Sequence, residues 1–177
     1  MIFDMTKRKA DGDDEFLYAD ANGVYYKRIM DITITRNTWS GGERWARLPE
    51  LEEITVHGLT SETGGRNINQ FSYNPNLKRL YLPDFTASNT YLAVQCPLLE
   101  EVVLGKVGTS VTSLIASYPF SGDTQSGLTI TVYVADDASI PLANAPWGAT
   151  NATIVYRSST SGEVLGETHY ANGTLIS

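Results

Sequence analysis

One phrase occurs three times in this chain: Pro49-Glu50-Leu51-Glu52-Glu53-Ile54-Thr55-Val56, Pro75-Asn76-Leu77-Lys78-Arg79-Leu80-Tyr81-Leu82 and Pro97-Leu98-Leu99-Glu100-Glu101-Val102-Val103-Leu104. Its pattern is Pro-x-Leu-x-x-aliphatic-x-aliphatic, with the prolines 26 and then 22 residues apart. A period of that size belongs to solenoids in which each unit adds one short strand to a shared parallel sheet. The aliphatic residues alternate, so the leucine and the two aliphatics of each phrase turn inward. Three such side chains, each stabilising by roughly 1.5–3 kcal/mol when buried, do not offset the roughly 20–40 kcal/mol of backbone freedom lost on ordering some 22 residues. A single unit therefore cannot fold alone; stacked units cover one another, and the two ends need caps.

The outward positions support the same register. Glu53, Arg79 and Glu101 fall in one row across neighbouring strands, and Glu52, Lys78 and Glu100 in another. At about 4.8 Å between strands the alternating signs form a favourable ladder, worth roughly 0–1 kcal/mol per exposed pair. Its main effect is against slipped pairing, and it reads equally well as a plain solvated surface. A fourth, degenerate copy, Thr129-Ile130-Thr131-Val132-Tyr133-Val134-Ala135-Asp136, lacks the leading Pro and Leu. Aligned from residue 131 on with Arg79-Leu80-Tyr81-Leu82-Pro83-Asp84, it puts Thr55, Tyr81, Val103 and Tyr133 in one outward row, with Arg79 beside Tyr81. Exposed aromatics next to arginine are the usual anchors of an interface, so these five residues are the candidate binding face. The alternative is that loops or a neighbouring subunit cover the row for stability.

The rest of the chain divides around the repeats. Residues 1–15 read as a charged arm, with Lys7-Arg8-Lys9 ahead of Asp11-Gly12-Asp13-Asp14-Glu15. Residues 16–47 read as a β-hairpin cap, because Asn22-Gly23 lies between two aromatic runs, with a further strand at Ile32 and Ile34. Residues 48–156 form the array and its closing strand, Asn151 to Tyr156, with the Trp147 ring closing the open end of the core. Residues 157–177 form a terminal hairpin or arm around Ala171-Asn172-Gly173. The intervals are rich in Ser, Thr, Asn and Gly and show no helical period.

Cys96 stands directly before its Pro, in the slot that Asn74 fills one unit earlier. A structural role for this single cysteine follows from that position better than a catalytic one, which would need a base and an electropositive setting. Two histidines, His57 and His169, have no ligand-like spacing, so no metal site is expected. No paired carboxylates, nucleophile elbow or phosphate loop stands out; no cofactor and no enzymatic activity are expected.

The repeat phrases, the Asn/Cys slot and the nearby Phe71 resemble the BspA-type leucine-rich repeats of bacterial surface proteins over about residues 48–136. That resemblance implies a mainly β fold: a short leucine-rich-repeat solenoid with parallel strands, capped by β-hairpins, with little regular helix. The intervals are less regular than in that family, and its isoleucine-glycine-alanine-phenylalanine phrase survives only in fragments such as Phe71 and Phe120. A second stretch, Asn144 to Tyr156, is similar to the closing segment of repeat proteins encoded in bacteriophage structural gene clusters of gut bacteria. It implies a decoration, fibre or adhesion component of a virion, the alternative being a bacterial cell-surface adhesin that binds protein or glycan. The net charge of −7 argues against nucleic acid as partner, and no run is apolar enough for membrane insertion. Met1 to Lys9 carries basic residues with no apolar block after them and does not read as a secretory signal; of a signal already removed and a protein made in a cytoplasm that leaves by another route, the second is the expectation, and it agrees with a virion origin. Self-association through flat repeat ends or aromatic hairpins is a further expectation.

Overall fold

A computed structural model describes residues 2–3, 18–20, 23–25, 29–34, 45–58, 71–87, 92–109, 115–116 and 127–177. The charged stretch at 4–15, the interval from Leu59 to Arg66 and the echo at Phe120 to Asp123 lie outside the described residues. Among the described residues thirteen strands run in chain order: β1 Ile2–Phe3, β2 Tyr18–Asp20, β3 Gly23–Tyr25, β4 Ile29–Ile34, β5 Glu53–His57, β6 Arg79–Ala87, β7 Ala93–Val94, β8 Glu101–Val107, β9 Ile115–Ala116, β10 Leu128–Val134, β11 Ala152–Ser158, β12 Val164–Ala171 and β13 Thr174–Leu175. Among the described residues there is no helix.

Nine strands form one sheet in the order β1-β4-β5-β6-β8-β10-β11-β12-β13. From β1 to β11 every pairing is parallel, so the chain returns to the same side after each strand and stacks as a solenoid. A second, narrow parallel ladder, β7 with β9, runs beside it, and is continued by Phe71 N–H donating to Leu92 O and Arg47 N–H to Ser72 O. The core lies between the two ladders. Ile54, Val56, Leu80, Leu82, Val102 and Leu104 all turn into it and are fully buried, as the alternation predicts.

The Pro-x-Leu phrase has a local cause. In each copy the leucine N–H donates to the carbonyl of the residue before the proline: Leu51 to Leu48, Leu77 to Asn74 and Leu99 to Cys96. That is a β-turn with proline second, where its fixed φ suits the turn. The residue preceding each turn, Arg47, Tyr73 or Gln95, has φ of 60°, 61° or 54°. A left-handed residue followed by a proline turn makes the corner that swings the chain into the sheet. The leucine then seats under it, with Leu51, Leu77 and Leu99 all buried.

Three features depart from the sequence reading. Ile2 and Phe3, placed in a charged arm, pair with Thr33 and Ile34 as the outermost strand. β4 is a full rung rather than part of a separate cap, since Met30 and Ile32 lie opposite Ile54 and Val56. β6 is bulged: Leu82 pairs Leu104 but the next partner of Lys106 is Thr86, so Pro83, Asp84 and Phe85 face Gly105 alone. A Cβ on Gly105 would sit 2.3 Å from Pro83 O and 3.0 Å from Phe85 O, so only glycine fits beside the bulge. Asp84, thrown outward, accepts from Gly58 N–H at 2.7 Å.

The expected hairpins are present. β2 and β3 pair antiparallel, Tyr18 with Tyr25 and Asp20 with Gly23, so Gly23 opens β3 instead of sitting in the turn where the Asn22-Gly23 pattern puts it. At the other end the chain reverses after Ser158, and β11, β12 and β13 form an antiparallel meander. Asn172 and Gly173, with φ of 50° and 73°, make the tight turn between Ala171 and Thr174 in the type I′ manner. Trp147 is buried in the same core cluster as Tyr156 and donates its indole N–H to Ala143 O at 3.0 Å.

Candidate interaction surface

The outward sheet face is built from side chains that alternate with the buried aliphatics. Glu53 pairs Arg79, and Arg79 pairs Glu101, in register. The ladder is not evenly shared, however. Arg79 Nη1 lies 2.8 Å from Glu53 Oε2, which raises the guanidinium pKa through that hydrogen bond and its charge. Glu101 instead accepts the Tyr81 hydroxyl at 2.7 Å. Burial, then this hydrogen bond to a carboxylate, pushes the Tyr81 pKa up to about 12. In the adjoining row Lys78 Nζ approaches Glu52 at 3.8 Å.

Thr55, Tyr81 and Val103 do form one row, and the next member is Thr131. Tyr133 is not in it. The degenerate copy aligns as Thr129, Ile130, Thr131 and Val132 opposite Glu101, Val102, Val103 and Leu104, two residues earlier than the expected match to Arg79. Tyr133 keeps its face but moves to the strand ends, next to Arg157 of β11. Thr131, which the sequence reading passed over, is itself largely covered.

Each end of this face carries a histidine and an acid. His57 Nε2 is 3.3 Å from Asp31; His169 Nε2 is 3.0 Å from Glu167, and its Nδ1 is 3.2 Å from Thr153 Oγ1. These are pairs, and among the described residues no group of three or more potential metal ligands comes together.

Behind the face, the slot before each proline is wired to the neighbouring coil. Asn74 is fully buried; its Nδ2 donates to Trp45 O at 2.7 Å and Phe71 O at 2.8 Å, and its Oδ1 accepts from Leu48 N–H at 2.8 Å. Cys96 takes the equivalent place one coil on, its Sγ donating to Phe71 O at 3.1 Å. Burial pushes its thiol pKa up to about 12, against a weaker opposing effect of the Asn74 and Tyr73 N–H groups, so the sulfur is held as a thiol. Trp45 and Phe71 stack beside the slot with ring centroids 5.1 Å apart. On the outside of the same corner the Arg47 guanidinium lies 4.4 Å from the Tyr73 ring centre, a cation–π contact. This corner column, Arg47, Tyr73 and Gln95, was not singled out by the sequence pattern; the signal for it is the position two residues ahead of each repeat proline.

The chain matches no protein-family model, no curated protein and no solved structure.

Proposed function

We propose that this protein is a non-enzymatic interaction module, a virion decoration, fibre or adhesion component of a bacteriophage that presents its outer sheet face to a protein or glycan partner. The observation that carries the reading is the face itself: Tyr81 and Arg79 stand two residues apart on the same face of a parallel sheet, each already oriented by a carboxylate. Side chains held in place before contact lose little freedom on binding, and Tyr and Arg are the residue types most used as interface anchors. The similarity of Asn144 to Tyr156 to closing segments of phage structural repeat proteins gives the virion setting.

The test is composition and attachment. Gradient-purified particles from a host carrying the gene should contain the protein by mass spectrometry, and particles with Arg79→Ala and Tyr81→Ala together should retain it but attach more weakly to cells. Particles that lack the protein overturn the virion reading. The alternative, a bacterial cell-surface adhesin, is favoured by the wired Asn74 and Cys96 slots, which agree with the resemblance to BspA-type leucine-rich repeats. Antibody labelling of intact bacteria, with purified particles unlabelled, would select it.

A further inference from the structure

Tyr133, displaced from the central row, lines a cavity of about 340 Å³ at the strand ends, together with Val107, Val134, Leu142, Lys106 and Ser159. That volume is at the lower end of what small-molecule sites use. Gly105, kept side-chain-free by the β6 bulge, forms part of the same wall.

Its rim is tied at several points. Asn144 Nδ2 donates to Thr109 O at 3.1 Å, holding the loop of Leu142 against the end of β8. Ser159 N–H donates to Val134 O at 2.7 Å, and Ala138 N–H to Ala135 O at 3.0 Å. The walls are therefore formed in advance. Most of them are aliphatic or aromatic, while Lys106 is exposed and makes no ion pair among the described residues. Asp136, the first carboxylate beyond the lining Ala135, is engaged by the Ser158 hydroxyl.

From this arrangement we infer that the cavity binds a carboxylate carried on an apolar group about the size of a leucine or phenylalanine side chain, the apolar part against Tyr133, Val107, Val134 and Leu142 and the anion at Lys106. An uncharged occupant would gain nothing from the ammonium group, and a strongly polar one would leave the aliphatic walls poorly matched. A free apolar acid and the C-terminus of a polypeptide share this chemistry. The inference does not rest on the outer-face reading, since it concerns a different set of side chains.

The test titrates the full chain by NMR or calorimetry with 3-phenylpropionate and with a short peptide ending in phenylalanine, each as free acid and as amide. The acids should bind, the amides at least about tenfold more weakly, because a charge-assisted contact is lost. Lys106→Gln, a surface change whose folding is checked by its melting curve, should bring acid and amide to the same affinity. A tighter peptide acid identifies a chain terminus as the source, and a tighter 3-phenylpropionate a free acid. No binding by either acid at millimolar concentration, equal affinity of acid and amide, or an unchanged preference in Lys106→Gln overturns the inference. Virion composition is read separately, so the failure of one proposal leaves the other standing.

Discussion

Two turns occupy the same place in successive coils and are filled differently. Before β6, the buried Asn74 amide joins three backbone sites, at Leu48, Trp45 and Phe71; before β8, the Cys96 thiol donates to Phe71 O. Both corners share the left-handed residue and the proline turn. The shape of the corner thus comes from the backbone, and the slot residue serves the polar groups that the neighbouring coil leaves in reach. Where several are buried an amide is needed, because each orphaned group costs about 1–3 kcal/mol.

The largest effect should come from Asn74→Ala, which removes the side-chain contacts to Leu48 N–H, Trp45 O and Phe71 O. We expect a loss of about 3–5 kcal/mol by urea unfolding; a loss no greater than that of Cys96→Ala would break the comparison. Next, Gly105→Ala tests the strand launched from the cysteine corner. A methyl group forced against Pro83 O should cost about 2–3 kcal/mol, and a neutral result would mean that the β6 bulge yields.

Cys96→Ala should cost only about 1–2 kcal/mol, the loss of a small buried group and a weak donor. In the native protein its thiol, raised to about 12, should resist iodoacetamide at pH 8 and react promptly in urea. Fast native labelling would show an open slot. The smallest effect belongs to the outer link between β6 and β8: Tyr81→Phe should cost about 0.5–1 kcal/mol. Because the folded Tyr81 pKa, at about 12, lies above the ordinary tyrosine value of about 10, the protein holds that proton when the unfolded chain has released it. This contribution is complete below pH 10 and disappears between pH 10 and about 12, and Tyr81→Phe should remove that part of the pH dependence.

Much of this architecture was legible in the residues. The inward set and the row of Glu53, Arg79 and Glu101 follow from period-two alternation and charge, and the Asn/Cys slot from its place before the proline. The register of β10 was not. Thr129-Ile130-Thr131-Val132 and Thr131-Val132-Tyr133-Val134 alternate equally well, and a shift of two residues leaves every side chain on its own face. Without Pro and Leu to mark the corner, nothing local separates them, and Tyr133 was misplaced for that reason. The bulge at Pro83 to Phe85 was hidden because its partner signal is a single glycine in another coil. The strand at Ile2 and Phe3 was hidden by the charged residues that follow it.

The reversal of the chain at Ser158 has a consequence for length. Every coil from β4 to β11 pairs parallel with the next, so each leaves a parallel edge on which a further rung can be laid. β12 runs the opposite way and offers no parallel edge on its far side. It acts as a terminator: beyond β11 the sheet continues only antiparallel, so the parallel stack stops there.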